Sequence, residues 1–98
     1  MDNYIQLAKK IVLSCIGTEP YTVFLFGSRA VSENAGMSDI DIGILERKNK
    51  RLPVELKLSI LEALEESVIP FPIDLVDFST VSPDFKRVAM KKVVIWKE

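Results

Sequence analysis

Apolar residues recur along this chain with two periods, and the switches between them mark out its elements. Over residues 3–16, Ile5, Ala8, Ile11, Val12 and Cys15 fall at helical spacing, with Lys9 and Lys10 on the other side. That pattern predicts an amphipathic helix, ended by Gly17. After Pro20 the aromatic and β-branched run 21–26 predicts a strand, broken at Gly27-Ser28. A short helical turn over 29–33 and a loop over 34–38 follow, and then a second strand over 38–45. Pro53 suits the first turn of a helix reaching about residue 67, with Leu56, Ile60, Leu61 and Leu64 as its apolar stripe. A third strand spans 71–78. Ser82-Pro83-Asp84 reads as an N-cap, a first-position proline and an acidic first turn, opening a helix that carries Phe85, Val88 and Ala89 inward. Residues 93–96 can close the chain as a short strand. The order α-β-(short α)-β-α-β-α-(β) predicts one α/β (α+β) layer domain over residues 1–98, with helices on one face of three or four strands and the other face free for a site.

Composition narrows the chemistry. The chain contains no histidine, which excludes serine-histidine triads, histidine metal ligands and histidine general bases together. Its one cysteine, Cys15, excludes an internal disulfide and a thiolate zinc centre, and its apolar setting suits a buried structural thiol. Thirteen basic residues against 14 acidic ones give a net charge of −1, so no overall field favours nucleic acid or an anionic membrane. Lys86, Arg87, Lys91 and Lys92 form a local basic group whose helical spacing fits a solvated face. No run is long enough to cross a bilayer and no secretory leader is evident, which makes the cytoplasm the expected location. At 48% apolar residues the chain is rich for its 98 residues, suggesting that part of its apolar surface is meant for a partner.

The remaining chemistry rests on carboxylates. Strand side chains alternate, so Ile40, Ile42 and Ile44 share one face of the second strand while Asp39 and Asp41 share the other. The isoleucines must face the core. The two aspartate Cα atoms are then about 6.5–7 Å apart, and their carboxylates repel unless a positive charge sits between them. In "PIDLVDF", Ile73 and Leu75 face the helices, so Asp74 points to the open face. If the third strand neighbours the second, Asp39, Asp41 and Asp74 form an oxygen-only site suited to one or two Mg²⁺ ions. Asp77 has the opposite parity and suits a turn or cap. Gly27 and Ser28, where a strand gives way to a helical segment, suit the close approach of a phosphate, and Gly43 would leave room for a bound group. Each feature alone has an ordinary reading: Gly-Ser as a turn, Asp-x-Asp as a loop or a glycosyltransferase metal motif, Ser38-Asp39 as a strand-entry cap.

Taken together, "GSRAVSENAGMSDID", a glycine-serine pair, a ten-residue gap and Asp-x-Asp, resembles the signature of the DNA polymerase β-like nucleotidyltransferases, and the short length resembles their minimal members, called MNT. The resemblance covers almost the whole chain. It implies the nucleotidyltransferase fold, with a small mixed sheet, and transfer of a nucleoside monophosphate, usually from ATP, to an acceptor hydroxyl. It assigns Gly27 and Ser28 to the β- and γ-phosphates and Asp39 and Asp41 to the metal ions. Asp74 falls to the third carboxylate position, which helps position or deprotonate the acceptor, and Ser38 of the Ser-Asp pair joins the nucleotide-binding set. Arg29, in the common "GSRA" form, either touches phosphate or pairs structurally. Ser32 and Gly36-Met37 depart from the family pattern in the loop. Minimal members commonly occur with a helical HEPN-type protein as toxin–antitoxin pairs, which implies a hetero-oligomer. Within such a pair this chain acts either by adenylylating a partner hydroxyl or by binding alone; Val93, Val94, Ile95 and Trp96 serve either as that contact or as a sheet edge. An aminoglycoside-type activity would need a second domain to complete the pocket.

Overall fold

The computed structural model describes residues 3–31 and 39–98. Helix α1 (Asn3–Ile16) buries Ile5, Ala8, Val12 and Ile16 along one stripe. It ends where Gly17 takes a left-handed φ of 62° and its N–H donates to the Leu13 carbonyl at 2.9 Å. Strand β1 (Tyr21–Phe26) and the one-turn helix α2 (Ser28–Val31) follow, then β2 (Ile40–Glu46) and helix α3 (Val54–Glu65). Strand β3 (Ile73–Asp77), helix α4 (Pro83–Ala89) and strand β4 (Val94–Lys97) complete the described chain. Both inner strands begin and end near the expected bounds, but β2 starts at Ile40, one residue past Asp39, and Pro53 occupies the N-cap of α3 rather than its first turn.

The four strands form one mixed sheet in the order β3-β2-β1-β4. Strand β1 pairs antiparallel with both β2 and β4, whereas β2 and β3 run parallel. A parallel pair cannot be joined by a tight turn, and α3 supplies the crossover between β2 and β3. Rows of side chains across the sheet follow from this register. On one face Leu25, Ile42 and Leu75 lie side by side, with Ile40 and Ile44 above and below. These residues pack beneath α1 and α3 as the main core, joined by Val23 and Trp96. Ile40, Ile42 and Ile44 are fully buried, each burial contributing about 1.5–3 kcal/mol.

The opposite face carries two rows of different character. One is apolar: Phe24, Gly43 and Val76. The other is Phe26, Asp41 and Asp74. Phe24, Phe26 and Phe78 build a second, smaller core here, with Phe24 and Phe78 edge-to-face at 4.8 Å and Phe26 and Phe78 at 5.1 Å. Ala89, Met90 and Val93 pack against it, so α4 and its exit partly cover a face expected to be free. The inward assignment holds in part for Phe85 and fails for Val88. Phe85 touches the Phe26 and Phe78 rings yet stays 45% exposed, and Val88 is 59% exposed. Seven residues give α4 too little length to turn a full stripe inward, and of its residues Phe85 and Ala89 reach the aromatic cluster. Strand β4 closes the sheet beside β1. Trp96 joins the main core while Val94 and Ile95 remain partly exposed.

Candidate active site

The polar end of the open face is assembled by strand register. Asp41 on β2 and Asp74 on β3 are direct neighbours across the parallel pair, where adjacent strands lie about 4.7–4.9 Å apart. Asp41 is half-buried and Asp74 exposed. Burial pushes the Asp41 carboxyl above its ordinary value, and the Asp74 and then the Asp39 carboxylates push it further the same way. Asp39 stands exposed, just ahead of β2. The three aspartates expected from the sequence therefore share one electrostatic neighbourhood. Among the described residues no three carboxylates lie close enough to enclose a metal ion by themselves.

The backbone of Gly27 lies directly against this pair. Strand β1 ends at Phe26, the antiparallel partner of Asp41, so the chain leaves the sheet over the Asp41 side chain. Gly27 has a φ of 74°, and a Cβ built on it would overlap Asp41 Oδ2. The left-handed φ favours glycine, and any larger residue would have to move the Asp41 carboxylate. Ser28 opens α2 and is exposed, and the Ala30 N–H donates to the Gly27 carbonyl at 3.1 Å. Beside this turn lies a cavity of about 360 Å³, lined by Gly27, Ser28, Val31, Val88, Ala89, Lys91 and Lys92.

The other singled-out residues divide as follows. The Arg29 side chain is 8% exposed, and its guanidinium lies 4.3 Å from the centre of the Phe71 ring, which in turn meets Tyr4 edge-to-face at 5.7 Å. The contact with Phe71 is a structural one and leaves open the phosphate role that the sequence also offered. Ser38 lies outside the described residues. Gly43 makes no room for a ligand, contrary to expectation: a Cβ there would overlap the rings of Phe24 and Phe78, which already fill the space. Asp77 is a cap. Its Oδ2 accepts from the Leu52 N–H at 2.9 Å, and its Oδ1 accepts from the Ser79 N–H at 3.0 Å and the Ser79 hydroxyl at 2.7 Å. The basic group read as one solvated face is split. Arg87 pairs with Asp84 at 3.2 Å in the open, while Lys91 and Lys92, in the turn after α4, line the cavity. The sequence carried their charge but not the direction in which α4 would deliver them.

The donor chemistry suits Mg²⁺. It is all oxygen, self-repelling and raised in proton affinity at Asp41, and Mg²⁺ is usually held by one or two carboxylates plus substrate phosphates rather than by a closed protein cage.

Residues 9–98 match the family described as "Polymerase beta, Nucleotidyltransferase". A curated protein of Haemophilus influenzae, "Probable protein adenylyltransferase MntA", is 35% identical over 78 residues, covering 80% of this chain and 67% of that protein. Among solved structures, one described as "Crystal structure of the toxin-antitoxin with AMP-PNP" superposes with a TM-score of 0.67 at 20% identity, over 90% of this chain and 71% of that one. At that identity the last likeness speaks for the fold.

Proposed function

Since this chain belongs to the polymerase β-type nucleotidyltransferase family, we propose that it transfers AMP from ATP to a hydroxyl of a partner protein, in a Mg²⁺-dependent reaction. The similarity to a probable protein adenylyltransferase supports the reaction type, and the described context of the structural neighbour supports a toxin–antitoxin setting. One observation carries the reading: Asp41 and Asp74 are in register, with the Gly27 backbone pressed against the Asp41 carboxylate. That arrangement sets like charges side by side, which costs stability, and it supports a reading in which the Gly27 backbone meets phosphate beside carboxylates that take a metal ion.

In this reaction Gly27 and Ser28 hold the terminal phosphates of ATP. Asp39, Asp41 and Asp74 would hold the metal. Bound there, Mg²⁺ would supply charge neutralisation between the phosphate oxygens and the carboxylates. The acceptor oxygen attacks the α-phosphorus, an O–P bond forms, and the bond from that phosphorus to the bridging oxygen breaks to release pyrophosphate. Asp74, the exposed member of the pair, takes the hydroxyl proton. Val31, Phe85 and Val88 expose apolar surface on this side of the molecule, which suits docking of a protein acceptor more than of a small polar one. The proposed partner is a helical HEPN-type protein.

The same apolar rim favours a second reading, in which the chain neutralises its partner by binding alone. Incubation with α-labelled ATP, Mg²⁺ and a HEPN-type helical protein as candidate partner separates the two. Transfer predicts label on the partner, reduced at least about 10²-fold in an Asp39→Asn/Asp41→Asn variant. An unlabelled partner that is still neutralised by the double variant establishes binding alone.

A further inference from the structure

The cavity beside Gly27 and Ser28 has charge in its lining. Lys91 and Lys92, in the turn after α4, line it together with the Gly-Ser turn. Neither side chain has an ion-pair partner among the described residues, whereas nearby Arg87 is engaged by Asp84. Gly27 borders both the cavity and the Asp41 carboxylate, so charge is sorted about it: acidic on the sheet side, basic on the α4 side. A nucleoside triphosphate is itself a linear charged chain. Its α-phosphate belongs at the carboxylates where transfer occurs, and its terminal phosphates then extend past Gly27 into the cavity. Ammonium groups there act as compact, multi-donor point charges for phosphate oxygens.

We infer that Lys91 and Lys92 form the subsite for the terminal phosphates of the nucleotide, and for the pyrophosphate that leaves. This inference rests on the AMP-transfer reading and adds residues to it from a part of the chain 63 and 64 positions beyond Ser28. The lysines hold ATP by the part that AMP lacks. They act in the positioning of the leaving group, and their charge also offsets what develops on it as the bond to the α-phosphorus breaks.

Titration calorimetry with Mg²⁺ tests the subsite, using ATP, AMP and inorganic tripolyphosphate as separate probes of the intact chain and of a Lys91→Gln/Lys92→Gln variant. Both lysines are exposed, so the variant should fold with an unchanged melting temperature. The expected result is a loss of affinity for ATP and tripolyphosphate of roughly tenfold to a hundredfold, with AMP binding unaltered. A Lys86→Gln control, outside the cavity lining, should leave all three affinities unchanged. Equal weakening of ATP and AMP, or no change in either, overturns the lysine assignment while leaving AMP transfer standing. Absence of ATP binding by the parent chain overturns both.

Discussion

Gly27 is the residue on which the site is most sensitive to a single atom. Its φ of 74° costs a non-glycine residue about 1–2 kcal/mol, and a Cβ would also displace the Asp41 carboxylate. Gly27→Ala should therefore lower stability by about that amount in a urea titration and reduce AMP transfer at least about 10²-fold in the labelling assay. A variant that keeps parental transfer would show that the contact between Gly27 and Asp41 is incidental. At this scale the sequence was informative wherever a residue's role follows from parity. The alternation of Ile40, Ile42 and Ile44 with Asp39 and Asp41 set the faces of β2 correctly. It was uninformative for Gly43, because what fills the space over a glycine is decided by rings from other strands, here Phe24 and Phe78. Arg29 was ambiguous for the same reason: only the folded chain brings Phe71 under its guanidinium.

Among the elements, α4 has the least packing and the most dependence on its cap. None of its residues is fully buried, and Ser82 Oγ accepts from the Phe85 N–H at 3.1 Å with Pro83 opening the helix. Ser82→Ala should cost about 1 kcal/mol. Because α4 delivers Lys91 and Lys92, hydrogen exchange should show faster opening across residues 83–90 while the β2 amides keep their protection. Equal acceleration in both would mean that α4 and the sheet open as one unit. The cap itself was legible as Ser-Pro-Asp, and Gly17 was legible as the end of α1. The packing direction of α4 was not, since a short amphipathic helix has several ways to meet a sheet, and the aromatic cluster selects one in which Phe85 and Val88 stay partly outside.

For the whole molecule, two aspartates on neighbouring strands pull stability in opposite directions with pH. Burial alone would push the Asp77 carboxyl up. The hydrogen bonds from Leu52 and Ser79 and the charge of Lys57 outweigh it and hold the group below its ordinary 3.8. Its contribution is thus complete above that value and is lost as pH falls through the depressed one. Asp41 is raised above 3.8, so the folded chain is penalised as pH climbs through the raised value and remains so at neutrality. Urea titrations at pH 7 should find Asp77→Asn less stable than the parent by about 1–3 kcal/mol, through loss of good acceptors for buried donors, and Asp41→Asn more stable. The Asp41 difference should shrink as pH falls through its raised value, and the Asp77 difference only at lower pH, as its depressed value is passed. An Asp41→Asn chain that is less stable at pH 7 would mean the carboxylate is compensated by a partner. The alternating elements were enough to read the α/β layering, but the neighbourhood of β2 and β3, on which the site depends, had to be conditional until the register was known.

That junction has a bearing on time as well as on space. The sheet is antiparallel everywhere except between β2 and β3, so Asp41 and Asp74 sit on the two sides of its single parallel seam. Neighbouring β1 and β2 can zip from a local connection, but the seam forms only after the intervening crossover has closed and α3 has docked, a slower class of event. A nascent or partly unfolded chain thus owns every carboxylate without the pairing of Asp41 and Asp74. Under the proposed reaction, nucleotide capture would be confined to chains whose folding has been completed across the seam.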